Sequence, residues 1–153
     1  MINLEIAEDF GNQLNTPLIE KTAQNTLLHE SAPQDSEITI VITNDEQLQA
    51  LNHQFRDINA PTDVLSFPAD FIDPENDAPY IGDILISHPR AVSQAAIGGH
   101  SVMAEIQLLV VHGILHLLGY DHTEPSEKTV MWVAQKEILD LMGLENLKIS
   151  EGK

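Results

Sequence analysis

The sequence contains no cysteine among its 153 residues. A disulfide framework and a thiolate metal site are therefore excluded, and a reducing compartment, the cytoplasm, is the expected location. No apolar stretch reaches the roughly 18 residues that a membrane span requires, and the N-terminus lacks the basic and apolar regions of a signal peptide. Any metal must therefore be bound by nitrogen or oxygen ligands, and no membrane partner is expected.

Basic residues are also scarce, because 7 Lys and Arg stand against 24 Asp and Glu and leave a formal net charge of −17. Nonspecific affinity for DNA or RNA comes largely from Lys and Arg side chains that neutralise phosphates. Simple polyanion binding is therefore disfavoured, and DNA is not an expected partner. A solvated acidic surface would explain the charge without any function. If the substrate is a nucleic acid, something besides general electrostatic attraction must help to hold it.

Length and composition predict one compact domain over residues 1–153, since 42% of the residues are hydrophobic and 20% are charged. Hydrophobic periodicity gives the element order β-α-β-α-β-β-α-α-α. This order predicts an α+β fold in which helices pack on a mixed four-stranded sheet. The third strand is expected in "TDVLSFP", ending at Pro68, and a loop or hairpin connection should follow it.

Three helices carry specific expectations. The segment from Ser101 to Leu118 is apolar on nearly all sides, which is typical of a helix buried in the middle of a domain. An earlier helix is expected to turn one apolar face inward, formed by Leu48, Leu51 and Phe55. The last helix is expected to bury a stripe formed by Val130, Ala134, Ile138 and Met142.

Three of the seven histidines fall in the apolar stretch "VVHGILHLLGYDH". His112 and His116 are four residues apart, so both imidazoles lie on one helix face and can share a metal ion. Gly119 allows the backbone to leave the helix through a left-handed conformation, after which His122 can return to the same ion. Three protein nitrogens with one open position are typical of a catalytic zinc site.

An alternative is that these histidines are ordinary core or surface residues. Burying three imidazoles without a common partner would cost about 1–3 kcal/mol for each unsatisfied polar group, so metal binding is favoured. One Zn²⁺ per chain is the first expectation. Nickel, copper and iron also accept imidazole ligands, so the ligand type leaves the metal open.

The histidine spacing is that of the metzincin proteases, but Gly113 occupies the position where those enzymes carry a catalytic Glu. Peptide hydrolysis needs a proton delivered to the leaving amine, so the missing acid disfavours a peptidase. A phosphodiester requires instead positive charge around a transition state whose negative charge is spread over phosphate oxygens. This requirement directs attention to the arginines.

The stretches "LNHQFRDINAPTDVLSFP", "GDILIS" and "HGILHLLGYDH" together resemble the YbeY family of bacterial single-strand-specific endoribonucleases, which are ribosomal RNA maturation factors. The motifs occur in the family's order, and the resemblance covers most of the chain. It implies a zincin-like α+β fold with a central metal-binding helix, zinc ligands at His112, His116 and His122, and a catalytic arginine at Arg56. Asn59 departs from the Asp of many relatives, which affects a contact that orders the loop.

The resemblance also implies a biological role. It implies cleavage of single-stranded RNA in the 3′-end maturation of small-subunit ribosomal RNA and in ribosome quality control. The implied partners are ribosomal RNA, the small ribosomal subunit and its assembly proteins. The strong negative charge suggests that the ribosome or protein partners present the RNA.

Three further residues are candidates for lining the cleft or supporting a ligand. Glu105 lies about 10 Å along the helix from His112, too far to bind the metal, and an acid near a helix N-terminus is an equally good explanation. Asp121 could orient the imidazole of His122 or simply form the turn. Ser66 lies on the strand after Arg56 and could face the cleft.

Other side chains have plainer expectations. His88 and His100 are expected to cap a short helix or lie on the surface, and Trp132 is expected to anchor the core. Arg90 is expected to be a solvated helix residue, and an exposed ion pair is the plain alternative for Arg56.

Two rival functions remain open at this stage. One is a ribosome-assembly or binding factor whose metal mainly stabilises the fold, and the other is a divergent metallopeptidase. The sequence names neither the nucleophile nor a general base.

Overall fold

The computed structural model describes residues 1–147, so residues 148–153 of the predicted domain lie outside the described residues. The strands are β1 (Ile2–Ile6), β2 (Glu37–Thr43), β3 (Val64–Asp73) and β4 (Ala78–Ser87). The helices are a short 3-10 helix (Glu8–Gln13), α1 (Thr16–His29), α2 (Asp45–Arg56), α3 (His88–Gly98), α4 (Val102–Leu117) and α5 (Pro125–Leu141).

The four strands form one mixed sheet in the order β1-β2-β4-β3. β1, β2 and β4 run parallel, and β3 pairs antiparallel with β4 at the edge of the sheet. Ile40 of β2 lies between Leu4 and Ile84 in the register and is fully buried. The predicted α+β fold with a mixed four-stranded sheet is therefore confirmed.

β3 is longer than the sequence predicted. The strand continues past Pro68 to Asp73, with a register shift against β4 between Pro68 and Phe71. Proline donates no hydrogen bond to a neighbouring strand, but it is tolerated at an edge and at an irregularity of the pairing. Both conditions hold here, so the expected strand end at Pro68 was wrong, and the connection to β4 is a tight hairpin.

Helix α4 lies at the centre of the fold, and 13 of its 16 residues are buried. One side of α4, which includes Leu109 and Ile114, packs against the sheet and α1. The opposite side, which includes Leu108 and Leu115, packs against α5. This burial on all sides confirms the predicted central helix and gives the residues near its C-terminal end a rigid support.

The buried stripe of α5 differs from the prediction. Val130 is 59% exposed, whereas the next residue, Met131, is fully buried. The inward positions are Met131, Ala134, Gln135, Ile138 and Leu139. Ala134 and Ile138 were therefore predicted correctly. The stripe also contains a glutamine, which hydrophobic periodicity passes over.

The 3-10 helix was not predicted from the sequence, and it explains the environment of His88. The imidazole of His88 stacks on Phe10 with ring centroids 4.3 Å apart, and His88 is only 5% exposed. The expected capping or surface role of His88 is therefore wrong. The cap of α3 is instead Ser87, whose hydroxyl accepts a hydrogen bond from the backbone N–H of Arg90.

Within residues 1–147, no single helix is long and apolar enough to cross a membrane. Helices α3 and α4 meet the criteria of length and composition only as a pair that is bent by 113°.

Candidate metal centre

The C-terminal half of α4 and the turn after it bring three histidines together. His112 and His116 lie on one face of the helix, and their Nε2 atoms are 3.2 Å apart. Gly119 then has φ +102°, in the left-handed region that side chains disfavour, and the chain returns toward the helix. One ring nitrogen from each of His112, His116 and His122 lies within 4.8 Å of the other two.

Hydrogen bonds on the far side of two rings determine which nitrogen carries the proton. Nδ1 of His112 lies 3.0 Å from Oε1 of Gln135, and Nδ1 of His116 lies 2.9 Å from the carbonyl oxygen of Tyr120. Both partners are acceptors, so each Nδ1 must donate. In the neutral imidazoles the two Nε2 lone pairs then point toward each other, an arrangement that a shared cation would stabilise.

The separation of these nitrogens fits a metal ion. Two imidazole nitrogens bound to one tetrahedral zinc at about 2.0–2.1 Å would be about 3.4 Å apart. The Nε2 atoms of His112 and His116 are 3.2 Å apart. The three residues therefore fit a zinc-type ion.

The surroundings of His116 favour its neutral, metal-binding form. Burial lowers the pKa of His116 below its ordinary value, and the nearby His122 and Arg56 lower it further. The hydrogen bond to the Tyr120 carbonyl acts in the opposite direction. Because burial is the largest effect, the imidazole remains unprotonated and available as a ligand.

Three parts of the metal centre were missed in the sequence. Gln135 is fully buried and orients His112, and the main-chain carbonyl of Tyr120 orients His116. The indole of Trp132 packs edge-on against His112 and His122, with ring centroids 5.8 and 5.7 Å apart. A glutamine inside the apolar stripe of α5 was the available signal for Gln135, since buried polar side chains usually have a specific partner.

The metal centre opens into a cleft of about 630 Å³ between α4 and the edge strand β3. Its lining includes the three histidines, the turn from Gly119 to Thr123, and residues of α2 and β3. The residues contributed from outside α4 and the turn are Arg56, Thr62, Asp63, Val64, Ser66 and Pro68. The predicted residues Arg56, Ser66 and Asp121 therefore line the same cleft as the ligands.

Among the residues that the structure describes, Arg56 is the only Lys or Arg that lines this cleft. Its side chain is exposed, and within residues 1–147 it forms no ion pair. Arg90, by contrast, is paired with Asp45, with Nε 3.5 Å from Oδ1. The ion-pair alternative for Arg56 is thus not seen among the described residues, and its guanidinium is placed to donate hydrogen bonds to a phosphate that enters the cleft.

The loop that follows Arg56 is held in place by two side-chain hydrogen bonds. Nδ2 of Asn52 donates to the carbonyl of Ala60 at 3.0 Å, and Nε2 of Gln49 donates to Oδ1 of Asn59 at 3.1 Å. The asparagine that departs from the family pattern therefore still accepts a loop-ordering hydrogen bond. These contacts tie the C-terminal end of α2, and with it Arg56, to the start of β3.

Asp121 and Ser66 have structural contacts inside the cleft. Oδ1 of Asp121 accepts the backbone N–H of His122 at 2.7 Å, and this bond is the main cause that lowers the pKa of Asp121. The hydroxyl of Ser66 donates to the carbonyl of Gly113 at 3.0 Å and so joins β3 to α4. Asp121 therefore shapes the turn that carries His122, and Ser66 fixes the wall opposite it.

Glu105 lies elsewhere. It is 1% exposed, its Oε1 is 2.6 Å from Nε2 of His100, and it is not among the described residues that line the cleft. The side chain of His100 is itself only 13% exposed. The pair joins the α3–α4 connection to the first turn of α4, so the surface alternative for His100 is wrong. The capping alternative holds for its main chain, since the N–H of His100 donates to the carbonyl of Ala95 at 3.1 Å at the end of α3.

Gly113 is tightly enclosed by the sheet. A Cβ atom at this position would lie 2.8 Å from Cγ2 of Ile84, closer than real Cβ contacts. The catalytic Glu of a metzincin could therefore not be introduced here without displacing the buried side chain of Ile84 or the helix itself. Packing and chemistry agree that this position does not carry a catalytic acid.

Comparisons with known proteins give a consistent result. The family model described as Endoribonuclease YbeY matches residues 3–143. The chain belongs to the Endoribonuclease YbeY family. An Endoribonuclease YbeY from Chloroflexus aurantiacus is 42% identical over 147 residues, covering 92% of this chain and 96% of the relative. One from Dehalococcoides mccartyi is 38% identical over 157 residues, covering 92% and 95%.

A solved structure shares the fold of this YbeY family member. The solution structure of the Thermotoga maritima protein TM1509 matches with a TM-score of 0.57 at 24% identity, covering 100% of this chain and 99% of that one. The predicted family is thus confirmed by the sequence comparisons, and the fold by the structure.

Proposed function

We propose that this protein is a metal-dependent endoribonuclease that cleaves single-stranded RNA, with His112, His116 and His122 holding one Zn²⁺ and Arg56 acting on the substrate phosphate. Support comes from the family, whose relatives are named endoribonucleases. The observation that carries the proposal is the convergence of the Nε2 atoms of His112 and His116, 3.2 Å apart, in a cleft that also contains Arg56, which forms no ion pair with any described residue.

The chain's own residues have separate roles in this proposal. Gln135 and the Tyr120 carbonyl hold the first two imidazoles with Nε2 toward the cleft. The guanidinium of Arg56 binds the scissile phosphate through two parallel N–H donors and offsets the charge that develops on its oxygens. When bound, the metal would polarise a phosphate oxygen or lower the pKa of a water molecule to about 7.

The charges of the cleft bear on how the RNA arrives. In the part of the chain that the structure describes, the lining contains one cation, Arg56, and two carboxylates, Asp63 and Asp121. With a net charge of −17, the protein gains little from general phosphate attraction. We therefore propose that small-subunit ribosomal RNA is the substrate, presented in the cytoplasm by the small ribosomal subunit and its assembly proteins during 3′-end maturation and quality control.

The test is cleavage of a single-stranded RNA by purified protein whose bound metal is quantified. His116→Ala should lose metal and cleavage together. Arg56→Ala should lose cleavage while it keeps metal and fold, because Arg56 is exposed and supports neither. Arg90→Ala is the matched control, since Arg90 lies on α3 in an ion pair with Asp45, and it should retain activity.

The opposite result would favour a different function. If fully metal-loaded wild-type protein leaves isolated RNA and RNA on small subunits intact, the ribonuclease proposal fails. An assembly factor with a structural metal would then explain the acidic cleft better. Hydrolysis of unfolded protein by the wild type would indicate the metallopeptidase alternative.

A further inference from the structure

Phe55 is an exposed aromatic residue directly before Arg56 in the last turn of α2. It was expected to face inward with Leu48 and Leu51, but its side chain is 60% exposed. Among residues 1–147 only one other Phe, Tyr or Trp is comparably exposed, namely Phe71 at 53%. Single exposed hydrophobic side chains are common on protein surfaces, so what distinguishes Phe55 is its position next to Arg56 and the support of its ring.

The ring of Phe55 is supported from one side. It packs edge-on against Phe67 of β3, with centroids 5.4 Å apart and an interplanar angle of 66°. Phe67 is in turn packed against the buried cluster of Leu48, Leu65 and Leu85. β3 is the outermost strand, so no further strand covers Phe55. The result is a preorganised ring that would lose little conformational freedom on binding a flat partner.

Phe55 does not itself line the cleft, but its neighbour in the chain, Arg56, does. Ser66 and Pro68, the strand neighbours of Phe67, both line the cleft, as does Arg56. Successive strand residues point to opposite faces of the sheet, so the side chain of Phe67 points away from the cleft that Ser66 and Pro68 line. Phe55, which packs on Phe67, therefore lies on the other side of the β3 edge from the metal centre. A polynucleotide whose phosphate is bound at Arg56 would reach Phe55 by passing over this edge.

The charge of the protein indicates what this ring should bind. Attraction of phosphates by the cleft is weak, because its described lining holds one cation and two carboxylates. Stacking of a base on an aromatic ring adds affinity that does not depend on charge, and it requires a base that is not enclosed in a duplex. Stacking would therefore add affinity where the electrostatics cannot, and it would select single strands.

We propose that Phe55 is a base-stacking subsite for a nucleotide next to the one bound at Arg56, and that it contributes to the preference for single-stranded RNA. This inference rests on the proposed ribonuclease function. The ligand class is an unpaired nucleobase, with purines favoured over pyrimidines because they offer the larger stacking surface.

The experiment compares steady-state cleavage of adenine-rich and uracil-rich RNA oligonucleotides of equal length. Phe55→Ala should raise KM for the adenine-rich oligonucleotide by about tenfold with kcat nearly unchanged, and the preference over the uracil-rich one should shrink. Phe55→Trp, which keeps a stacking surface, should restore both. Phe71→Ala is the matched control, since it removes an equally exposed phenylalanine on the β3–β4 hairpin and should leave KM unchanged.

Several outcomes would overturn the inference. An unchanged KM in Phe55→Ala would leave the ring as a contact for a protein partner. A fall in kcat alone would mean that Phe55 only positions Arg56. An equal rise of KM in Phe71→Ala would indicate a general surface effect. If the wild type cleaves neither oligonucleotide, the ribonuclease function fails and this inference with it, whereas an active wild type with an unaffected Phe55→Ala overturns the stacking subsite alone.

Discussion

Replacing Gln135 should weaken metal binding with little effect on the fold. Oε1 of this fully buried residue is 3.0 Å from Nδ1 of His112, and it holds the ring with Nε2 toward the other ligands. Gln135→Leu keeps the volume but removes the acceptor that fixes the orientation and the Nδ1 proton of the His112 ring. Loss of such an orienting partner typically lowers metal affinity about 10- to 100-fold.

The expected effect on stability is smaller, because two changes oppose each other. The N–H of His112 loses its partner, which costs about 1–3 kcal/mol for a buried donor. The same substitution removes Nε2 of Gln135, a buried donor that has no partner within the described part of the chain. The free energy of unfolding of the metal-free protein should therefore change little, while the metal affinity falls.

The assay is competition for Zn²⁺ with a chromogenic chelator, together with urea denaturation of the metal-free protein. Trp132, the only tryptophan, touches His112 and His122 and supplies a local fluorescence signal for metal binding. Gln107→Leu is the matched control, since Gln107 is also buried but bonds to Thr22 rather than to a ligand. Wild-type affinity in Gln135→Leu, or an equal loss in Gln107→Leu, would refute the proposed orienting role.

Three further predictions concern the fold and its dependence on pH and metal. Burial lowers the pKa of His88 below the value of about 6.5 that it has in the unfolded chain, so at pH values near and below 6.5 the unfolded chain binds more protons at this residue than the native protein does. The neutral, buried imidazole therefore contributes fully to the free energy of unfolding above pH 6.5. This contribution decreases as the pH falls through 6.5. His88→Phe, which keeps the stacking on Phe10, should reduce the drop of the urea midpoint on acidification, and an identical drop would contradict this. Gly113→Ala should destabilise by about 1–3 kcal/mol in urea denaturation because its Cβ would meet Ile84 at 2.8 Å, whereas unchanged stability would show that α4 can shift freely. Chelation of the metal should abolish cleavage but leave cooperative unfolding, since the buried apolar clusters contain none of the three ligands; loss of the near-ultraviolet circular dichroism would point to a structural metal.

The sequence predicted those parts of the metal centre that depend on local geometry. The spacing of His112 and His116 on one helix face, the bend at Gly119 and the return of His122 all follow from backbone rules over eleven residues. The central burial of α4 follows similarly from its apolar surface. Arg56 came from the family resemblance instead, because a lone arginine at a helix end carries no local signal for a cleft.

The features of the site that the sequence did not predict depend on contacts between distant segments or on the main chain. Gln135 is 23 residues from His112, and only the packing of α5 on α4 brings them together. The carbonyl of Tyr120 has no side-chain signature at all. The exposure of Phe55 was mispredicted because helical periodicity does not show where the sheet beneath the helix ends. In each case the tertiary arrangement, which a single sequence does not contain, decides the environment of the residue.

The short span of the three candidate metal ligands also affects the denatured state. An unfolded chain keeps imidazoles that are four and six residues apart near one another, so it behaves as a weak chelating peptide. A ligand stabilises a protein only to the extent that it prefers the native over the unfolded state. The hydrogen bonds from His112 to Gln135 and from His116 to the Tyr120 carbonyl form only after folding. They therefore contribute to the preference of the metal for the native over the unfolded state. Zinc should therefore raise the melting temperature less than its affinity for the native protein alone would suggest.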